Sequence, residues 1–241
     1  MGFLTFRCTS KCRTCTIWKR AESSKNYELD LKGWRTVIDR MYDYGIRAFE
    51  VFGGDALLRD DVVFDLIAHC HKKGMSTYFP TNSIMCDRQT VRRLVDAGLG
   101  TIYISLDDLG PENDEIRGVQ GSFRRVQETL EYFVEERGNR PFPSIVVCTT
   151  LSKLNFRSFP RLLNFIDRYP VNAIYPRPLG EFKQENVKAS AINGLEPEPY
   201  FATSDGDSHL LSDHDVEELK KIFAMVKKRR CGTYVNLRGY Y

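Results

Sequence analysis

The chain has 241 residues, of which 42% are hydrophobic and 28% are charged, a composition typical of one globular domain with a sizeable core. Its 35 lysines and arginines nearly balance its 32 acidic residues, so the net charge of +3 gives no argument for a nucleic-acid or membrane partner. No apolar run approaches the roughly 18–20 residues of a bilayer-spanning helix, and no secretory leader opens the sequence. We therefore expect a cytoplasmic protein without a membrane segment.

Six segments have apolar residues at helical spacing and lie beside residues that commonly start or stop helices. In chain order, these predicted helices begin near Asp30, Val62, Asp87, Ser122, Pro160 and Ser212. In the last of them, Ser212 and Asp215 have the spacing of a capping box.

Short apolar or β-branched runs precede the helices and predict strands at Gly2–Phe6, Arg47–Phe52, Met75–Phe79, Thr101–Leu106, Ser144–Thr149 and Val171–Tyr175. This alternation predicts parallel strands joined by right-handed crossovers. Because no dinucleotide-binding glycine fingerprint follows a strand, we favour a partial (β/α)6 TIM-like barrel, open on one side, over a doubly wound sheet. We expect one domain over residues 1–230 and a tail over 231–241, where a further domain would begin.

The distinctive residues of the sequence lie at or after the ends of the predicted strands. In parallel β/α folds, ligands bind at the carboxyl ends of the strands, so these residues are expected to share one rim. They are Cys8, Cys12, Cys15, Gly53, Gly54, Asp55, Thr81, Asn82, Ser105, Asp107, Arg117, Thr149, Thr150 and Arg177. The irregular segment 176–211 is expected to shape the substrate side together with Arg177, because a loop this long is usually functional.

Three of the seven cysteines, Cys8, Cys12 and Cys15, lie within eight positions, with no fourth cysteine nearby. Structural metal sites usually close with four protein ligands, whereas a metal that engages a substrate keeps one position open. Cysteine clusters of this kind usually bind metal, although a zinc knuckle lacking one ligand and plain buried thiols are the alternatives. The other cysteines form no C-x2-C pair, so no second cluster is predicted.

Three motifs taken in order, Cys8-x3-Cys12-x2-Cys15, VFGGDALL and SLDDLGPENDEIRGVQGSF, resemble the radical S-adenosylmethionine (radical SAM) superfamily. The most similar subgroup is the one that often carries a C-terminal auxiliary-cluster domain of the SPASM or twitch type. The resemblance implies a [4Fe-4S] cluster held by the three cysteines, with the fourth iron left open for S-adenosylmethionine (SAM). It also implies reductive cleavage of SAM to a 5′-deoxyadenosyl radical, which abstracts hydrogen from a peptide or small-metabolite substrate. A reductant such as flavodoxin or ferredoxin would supply the electron.

The resemblance also assigns residues to SAM. It implies that the turn Gly53-Gly54-Asp55 faces the methionine amino group, that Ser105 and Asp107 face the ribose and methionine, and that Arg117 pairs with the carboxylate. Asn82 matches a Thr-Asn-Gly motif in which Ser83 replaces the glycine.

Two positions depart from the family pattern. Asp55 stands where a glutamate is usual, and Thr14 stands where an aromatic residue usually contacts adenine. Since Thr14 cannot stack, we expect adenine to be held by backbone or by Trp18.

Three classes of function are compatible with these sequence motifs. The first is a radical enzyme acting on a peptide or a small metabolite. The second is an activating enzyme for a glycyl-radical enzyme, which would dock a protein partner on the rim. The third is a non-catalytic metal-binding or electron-transfer module.

Overall fold

The computed structural model describes residues 1–20, 27–182, 184–196, 208–229 and 232–238 of the chain. Within them, six parallel strands form one sheet in which each strand pairs with its neighbour in sequence, from β1 to β6. The strands are β1 (Gly2–Phe3), β2 (Ala48–Phe52), β3 (Ser76–Thr81), β4 (Thr101–Ser105), β5 (Ser144–Leu151) and β6 (Ala173–Pro178).

Helices connect successive strands, so each strand-to-strand step is a β/α unit. They are α1 (Leu31–Asp43), α2 (Val63–Lys72), α3 (Arg88–Asp96), α4 (Pro111–Arg117), α5 (Ser122–Arg137), α6 (Phe159–Ile166), α7 (Gln184–Ala189) and α8 (Asp213–Lys227). Short 3₁₀ helices lie at Ile17–Arg20, Ala56–Arg59 and Phe156–Ser158. The predicted strands and helices are all present, and the open parallel β/α barrel is confirmed.

Side-chain caps start several helices at the predicted places. Asp30 accepts a hydrogen bond from the Gly33 amide at 2.7 Å, and Asp87 accepts one from the Thr90 amide at 2.7 Å. The capping box of Ser212 is formed in full, with Asp215 as its second member.

Several details differ from the sequence prediction. β6 covers Ala173–Pro178 and not the predicted Val171–Tyr175. β1 is shorter than predicted and ends at Phe3, where the chain turns into the cysteine segment. Arg117 is the last residue of helix α4, which was not among the predicted helices. This helix has Pro111 in its first turn and acidic residues beside its N-terminus. The segment 176–211 contains helix α7, and its residues 183 and 197–207 lie outside the described residues.

The two faces of the sheet have different surroundings. On one face, alternate strand residues pack against the helices and form the core together with helix residues such as Ile38, Leu94 and Leu130. The apolar strand residues on this face are Phe49, Val51, Phe79, Ile102, Ile104, Ile145, Val147, Leu151 and Ile174. The intervening residues of β2, β3 and β4 are half-exposed or exposed, so the interior of the open barrel is accessible.

The C-terminal residues return to the sheet. The Ile174 amide donates to the Tyr234 carbonyl at 2.8 Å, and the Asn236 amide donates to the Ile174 carbonyl at 2.9 Å, which forms an isolated parallel bridge beside β6. The division of the chain at residue 231 stays a prediction, and Cys231 itself lies outside the described residues. In the described part of the chain, no helix has the length and apolarity needed to cross a bilayer.

Helix α5 takes its N-terminal cap from another helix. It begins at Ser122, as predicted, but the capping acceptor is the carboxylate of Asp114 in α4. This carboxylate accepts from the amides of Gly121 and Phe123 at 2.6 and 2.8 Å and from the Ser122 hydroxyl at 2.9 Å. Burial raises the pKa of Asp114, but these hydrogen bonds outweigh it and hold the pKa below its usual value.

We expect Asp114→Ala to lower the free energy of unfolding by about 1–2 kcal/mol at neutral pH, as for the loss of a capping carboxylate. Because the folded-state pKa is depressed, this stability is present above the unfolded-state pKa and is lost as pH falls through the folded-state value. Urea unfolding at a series of pH values measures both effects. Asp96→Ala, at an exposed site on α3, is the control and should change stability little. A pH-independent loss at Asp114 would contradict the capping role.

Candidate functional site

The cysteine segment, defined here as residues 7–15, rests on the turn that follows β2. The Gly54 amide donates to the Thr5 carbonyl at 2.9 Å, and the Asp55 amide donates to the Arg7 carbonyl at 2.8 Å. A Cβ atom on Gly54 would lie 2.2 Å from the Arg7 carbonyl oxygen, and one on Gly53 would lie 2.8 Å from that of Thr5. Both glycines are therefore required by close backbone contact with the start of the cysteine segment.

The C-terminal end of α4 holds the other side of the same segment. The Arg13 amide donates to the Ile116 carbonyl at 2.9 Å. Gly118 adopts a left-handed conformation (φ +64°), and a Cβ atom there would lie 2.4 Å from the Lys11 carbonyl oxygen. Gly118, next to Arg117, thus allows the end of α4 to pack against the cysteine segment. Backbone contacts therefore fix this segment on two sides.

The thiols of Cys8, Cys12 and Cys15 are close enough that their charges affect one another. The Ser10 amide lies 3.4 Å from the Cys8 sulfur and donates to it. Burial raises the pKa of all three thiols, that of Cys8 to about 12, whereas the positive charge of Arg117 lowers the pKa of Cys12 and Cys15. Three partly buried thiols gathered in this way are a suitable donor set for a soft metal centre, which binds the thiolate form.

A buried ion pair lies directly beside Cys12. The Arg117 guanidinium is 2.9 Å from the Asp107 carboxylate, and the two side chains are 13% and 1% exposed. Asp107 also accepts from the Thr150 amide at 2.8 Å, and Arg117 hydrogen-bonds to Cys12. Burial raises the pKa of Asp107, and the Arg117 charge opposes that rise. The pairing of Asp107 with Arg117 was not anticipated from the sequence.

One donor in this ion pair has no acceptor. The Nε of Arg117 is fully buried and finds no hydrogen-bond partner among the described residues. Buried donors are rarely left unsatisfied, since the desolvated N–H costs free energy without a partner. An anionic ligand group next to Cys12 would satisfy it, which fits the carboxylate-binding role that the motif implies for Arg117.

Asp55 and Asn82 meet at Thr9, a residue to which no sequence motif points. Asp55 is 4% exposed, accepts from the Thr9 hydroxyl at 2.5 Å and caps the following 3₁₀ helix through the Leu57 amide. The Asn82 amide donates to Thr9 at 2.9 Å and approaches the Cys8 sulfur at 3.7 Å. Burial raises the pKa of Asp55, and the hydrogen bonds from Thr9 and Leu57 oppose it. Two predicted site residues are thus brought to the cysteines.

Asparagine side chains fix the end of β4, and no sequence motif pointed to them. Asn113 is fully buried, accepts from the Asp107 amide at 3.0 Å and donates to the Ser122 hydroxyl at 2.9 Å. Asn155 donates to the carbonyls of Asp107 and Thr150, both at 2.8 Å. Buried amides of this kind orient the backbone that carries Asp107. Ser105 ends β4 at the same rim and pairs in register with Cys148.

Trp18 packs on the cysteine segment. Its indole Nε1 donates to the Cys15 carbonyl at 2.9 Å, and the Lys19 ammonium lies 5.5 Å from its ring centroid. Trp18 is thus fixed at the edge of the site; the prediction that backbone or Trp18 holds adenine stays a prediction. The neighbouring Thr14 is half-buried.

Residues 3–166 match the family model of the Radical SAM superfamily. The chain belongs to the radical SAM superfamily of enzymes. The superfamily to which the motifs pointed is thereby confirmed. Membership implies an iron–sulfur cluster and SAM as cofactors.

Curated relatives of this radical SAM chain differ in function. A Fe-coproporphyrin III synthase from Methanosarcina barkeri (strain Fusaro / DSM 804) is 27% identical over 171 residues, which are 71% of this chain and 41% of that protein. A PqqA peptide cyclase from Methylocella silvestris is 31% identical over 130 residues, which are 54% of this chain and 34% of that protein. The chain thus matches less than half the length of either relative.

Solved structures share the fold at low identity. Streptococcus suis SuiB bound to precursor peptide SuiA superposes with a TM-score of 0.72 at 17% identity, over 97% of this chain and 47% of SuiB. Native anSMEcpe with bound AdoMet superposes with a TM-score of 0.68 at 13% identity, over 97% of this chain and 62% of that one.

Asp107→Asn tests the buried ion pair of this radical SAM chain. We expect it to lower the free energy of unfolding by about 3 kcal/mol, because a buried guanidinium that loses its counter-charge is costly. Urea denaturation at neutral pH measures this loss. Glu217→Gln removes an exposed partner of Lys220 and should leave stability nearly unchanged. Similar stability of Asp107→Asn and the parent protein would contradict a tightly coupled pair.

Ser83 tests the turn after β3. This buried residue has a positive φ of 73°, the conformation that glycine adopts most readily, and its hydroxyl has no partner among the described residues. We expect Ser83→Gly to raise the free energy of unfolding by about 1 kcal/mol, since relief of the left-handed strain exceeds the added chain entropy. Thermal unfolding measures it against Ser83→Ala, which keeps the strain. A glycine variant less stable than the alanine variant would contradict this account.

Proposed function

We propose that Cys8, Cys12 and Cys15 hold a [4Fe-4S] cluster and that the rim beside them binds SAM for radical chemistry on a peptide substrate. The observation that carries this proposal is the pairing of three gathered thiols with the buried, unpartnered Nε–H of Arg117 next to Cys12. Three protein thiolates suit a cluster that keeps one iron open to a ligand. When bound, the cluster and SAM supply reductive cleavage to a 5′-deoxyadenosyl radical that abstracts hydrogen.

The chain's own residues position this chemistry. The Arg117 guanidinium is proposed to donate hydrogen bonds to the SAM carboxylate. Its ion pair with the buried Asp107 fixes the orientation of the guanidinium. The turn at Gly53 and Gly54, held by close backbone contact beside the cysteine segment, is proposed to face the ligand amino group. The remaining residues proposed to line the SAM site are Asp55, Asn82 and Ser105.

A peptide is the substrate class that we favour. Relatives include PqqA peptide cyclases, and SuiB superposes in a form bound to its precursor peptide. The inner residues of β2, β3 and β4 are half-exposed or exposed, so a substrate can reach this face of the sheet. A tetrapyrrole, suggested by the Fe-coproporphyrin III synthase relative, is the small-molecule alternative.

The proposal includes a one-electron donor such as flavodoxin or ferredoxin. It also places the protein in the cytoplasm, because thiolate ligands are kept reduced there.

Anaerobic reconstitution with iron and sulfide tests the proposal. We expect about four iron atoms per chain and, with dithionite and SAM, formation of 5′-deoxyadenosine detected by mass spectrometry. Cys12→Ala should lose iron and SAM cleavage together, because it removes one of three cluster ligands. Cys70→Ala is the matched control, because Cys70 lies on α2 and is buried in the hydrophobic core. This variant should retain both iron binding and SAM cleavage.

Equal SAM cleavage by Cys12→Ala and the parent protein would overturn the assignment of the cluster ligands. Iron binding without any SAM cleavage would favour an electron-transfer module. A glycine radical on a co-purified protein would favour an activating enzyme instead of a peptide-modifying one.

A further inference from the structure

The barrel interior has its own set of side chains, apart from the cysteine rim. Strand residues that point away from the helices line it. They occur at every second position of a strand, because successive side chains point to opposite faces of the sheet. We call the following residues the lumen set: Glu50, Tyr78, Tyr103, Cys148, Tyr175 and Arg177. They come from β2, β3, β4, β5 and β6, so nearly the whole open barrel contributes to this surface.

Three tyrosines of the lumen set form a continuous aromatic wall. The rings of Tyr78 and Tyr103 are stacked, with centroids 6.0 Å apart and planes at 9°. The ring of Tyr175 on β6 continues the wall, with its centroid 6.1 Å from that of Tyr103 on β4. The intervening strand β5 contributes the small side chain of Cys148. Burial raises the pKa of Tyr103 to about 12, so the phenol at the centre of the wall is neutral at physiological pH.

Glu50 stands beside this wall without a counter-charge. It pairs in register with Tyr78, and its charge acts on both Tyr103 and Cys148, which places the carboxylate at the same interior. Among the described residues it has no ion pair and no side-chain hydrogen bond, although it is half-buried. By contrast, the half-buried Glu28 pairs with two arginines.

A half-buried carboxylate without a partner next to aromatic faces is an arrangement that suits a cation. A carboxylate loses hydration on partial burial and regains favourable interactions from a positive ligand. The negative faces of tyrosine rings attract the same charge. A neutral hydrogen-bonding group would satisfy Glu50 in part, but it would gain little from the tyrosine wall.

The lumen also carries a positive charge at its other end. Arg177 lies two residues beyond Tyr175, toward the carboxyl end of β6, and is exposed. It pairs in register with Thr150, at the end of the barrel that holds Asp107 and the cysteines. The two charges therefore lie at different depths, and a positive substrate group would be repelled at the mouth and attracted toward Glu50.

We propose that three residues of the lumen set, Glu50, Tyr78 and Tyr103, bind a positively charged substrate group, the ammonium or guanidinium of a basic peptide side chain. Glu50 is its counter-ion, and Tyr78 and Tyr103 form its aromatic wall. This inference rests on the proposed function, because it takes the barrel interior as the substrate side of the SAM site. It adds the chemical class of the group that the interior selects.

The test is a binding measurement on the reconstituted full chain. The probes are four blocked pentapeptides, Ac-Gly-Gly-X-Gly-Gly-amide, in which X is lysine, arginine, norleucine or glutamate. Isothermal titration gives the affinities, and ring resonances of isotope-labelled tyrosine report whether the peptide reaches the wall. We expect the lysine and arginine peptides to bind about tenfold more tightly than the norleucine peptide, as for one well-formed charge contact.

Three variants make this measurement specific. Glu50→Gln should abolish the preference for the basic peptides, and Glu50→Asp should restore it in part. Glu131→Gln makes the same change at an exposed site on α5 and should keep the preference. Thermal unfolding of each variant verifies that it is folded.

Equal, reversed or absent binding of the basic peptides overturns the inference, as does a preference that survives in Glu50→Gln. SAM cleavage without peptide is measured on the same preparation and reports on the proposed function by itself. Cleavage without a charge preference would therefore reject the lumen assignment alone, whereas a charge preference without cleavage would reject the radical function.

Discussion

The close approach of backbone at two glycines is the constraint on which the site depends. At Gly54 and at Gly118 a methyl group would lie within 2.4 Å of a carbonyl oxygen of the cysteine segment. The segment is consequently fixed between the end of β2 and the end of α4, two elements that the barrel itself positions. Ligand geometry in a three-cysteine site depends on this fixed backbone, since thiol side chains alone have rotational freedom.

The buried ion pair of Asp107 and Arg117 joins the cysteine segment to the strand ends. Two fully or nearly buried asparagines and the Thr150 amide hold Asp107, so Arg117 meets a rigid partner. Burial of a charge pair contributes little net stability, and such pairs are better understood as fixing an orientation. In this chain the orientation that is fixed is that of a guanidinium beside Cys12, with one N–H free of protein partners among the described residues.

The sequence predicts the periodic features of this fold well. Hydrophobic spacing, capping residues and glycine stops define strands and helices, and all six predicted units occur because their signals are local. The cysteine spacing and the glycine turn were equally visible, since each is a short motif. Helix α4 was missed because its seven residues contain only one buried apolar side chain, Ile116.

The contacts that complete the site could not be predicted from the sequence. Thr9 meets Asp55 and Asn82 only because the chain folds three strand ends together, at sequence separations of 46 and 73 residues. The tyrosine wall and Glu50 were also invisible, since a strand with a half-exposed inner face has the same alternation as one that faces solvent.

The central claim is that three cysteines hold a cluster with an open iron next to Arg117. Electron paramagnetic resonance of the reduced, reconstituted protein with and without SAM tests it most directly. Direct ligation to an open iron predicts that SAM changes the spectrum of the parent protein and that Arg117→Gln needs more SAM for the same change. Identical spectra with and without SAM, in a protein that contains the cluster, would contradict the account.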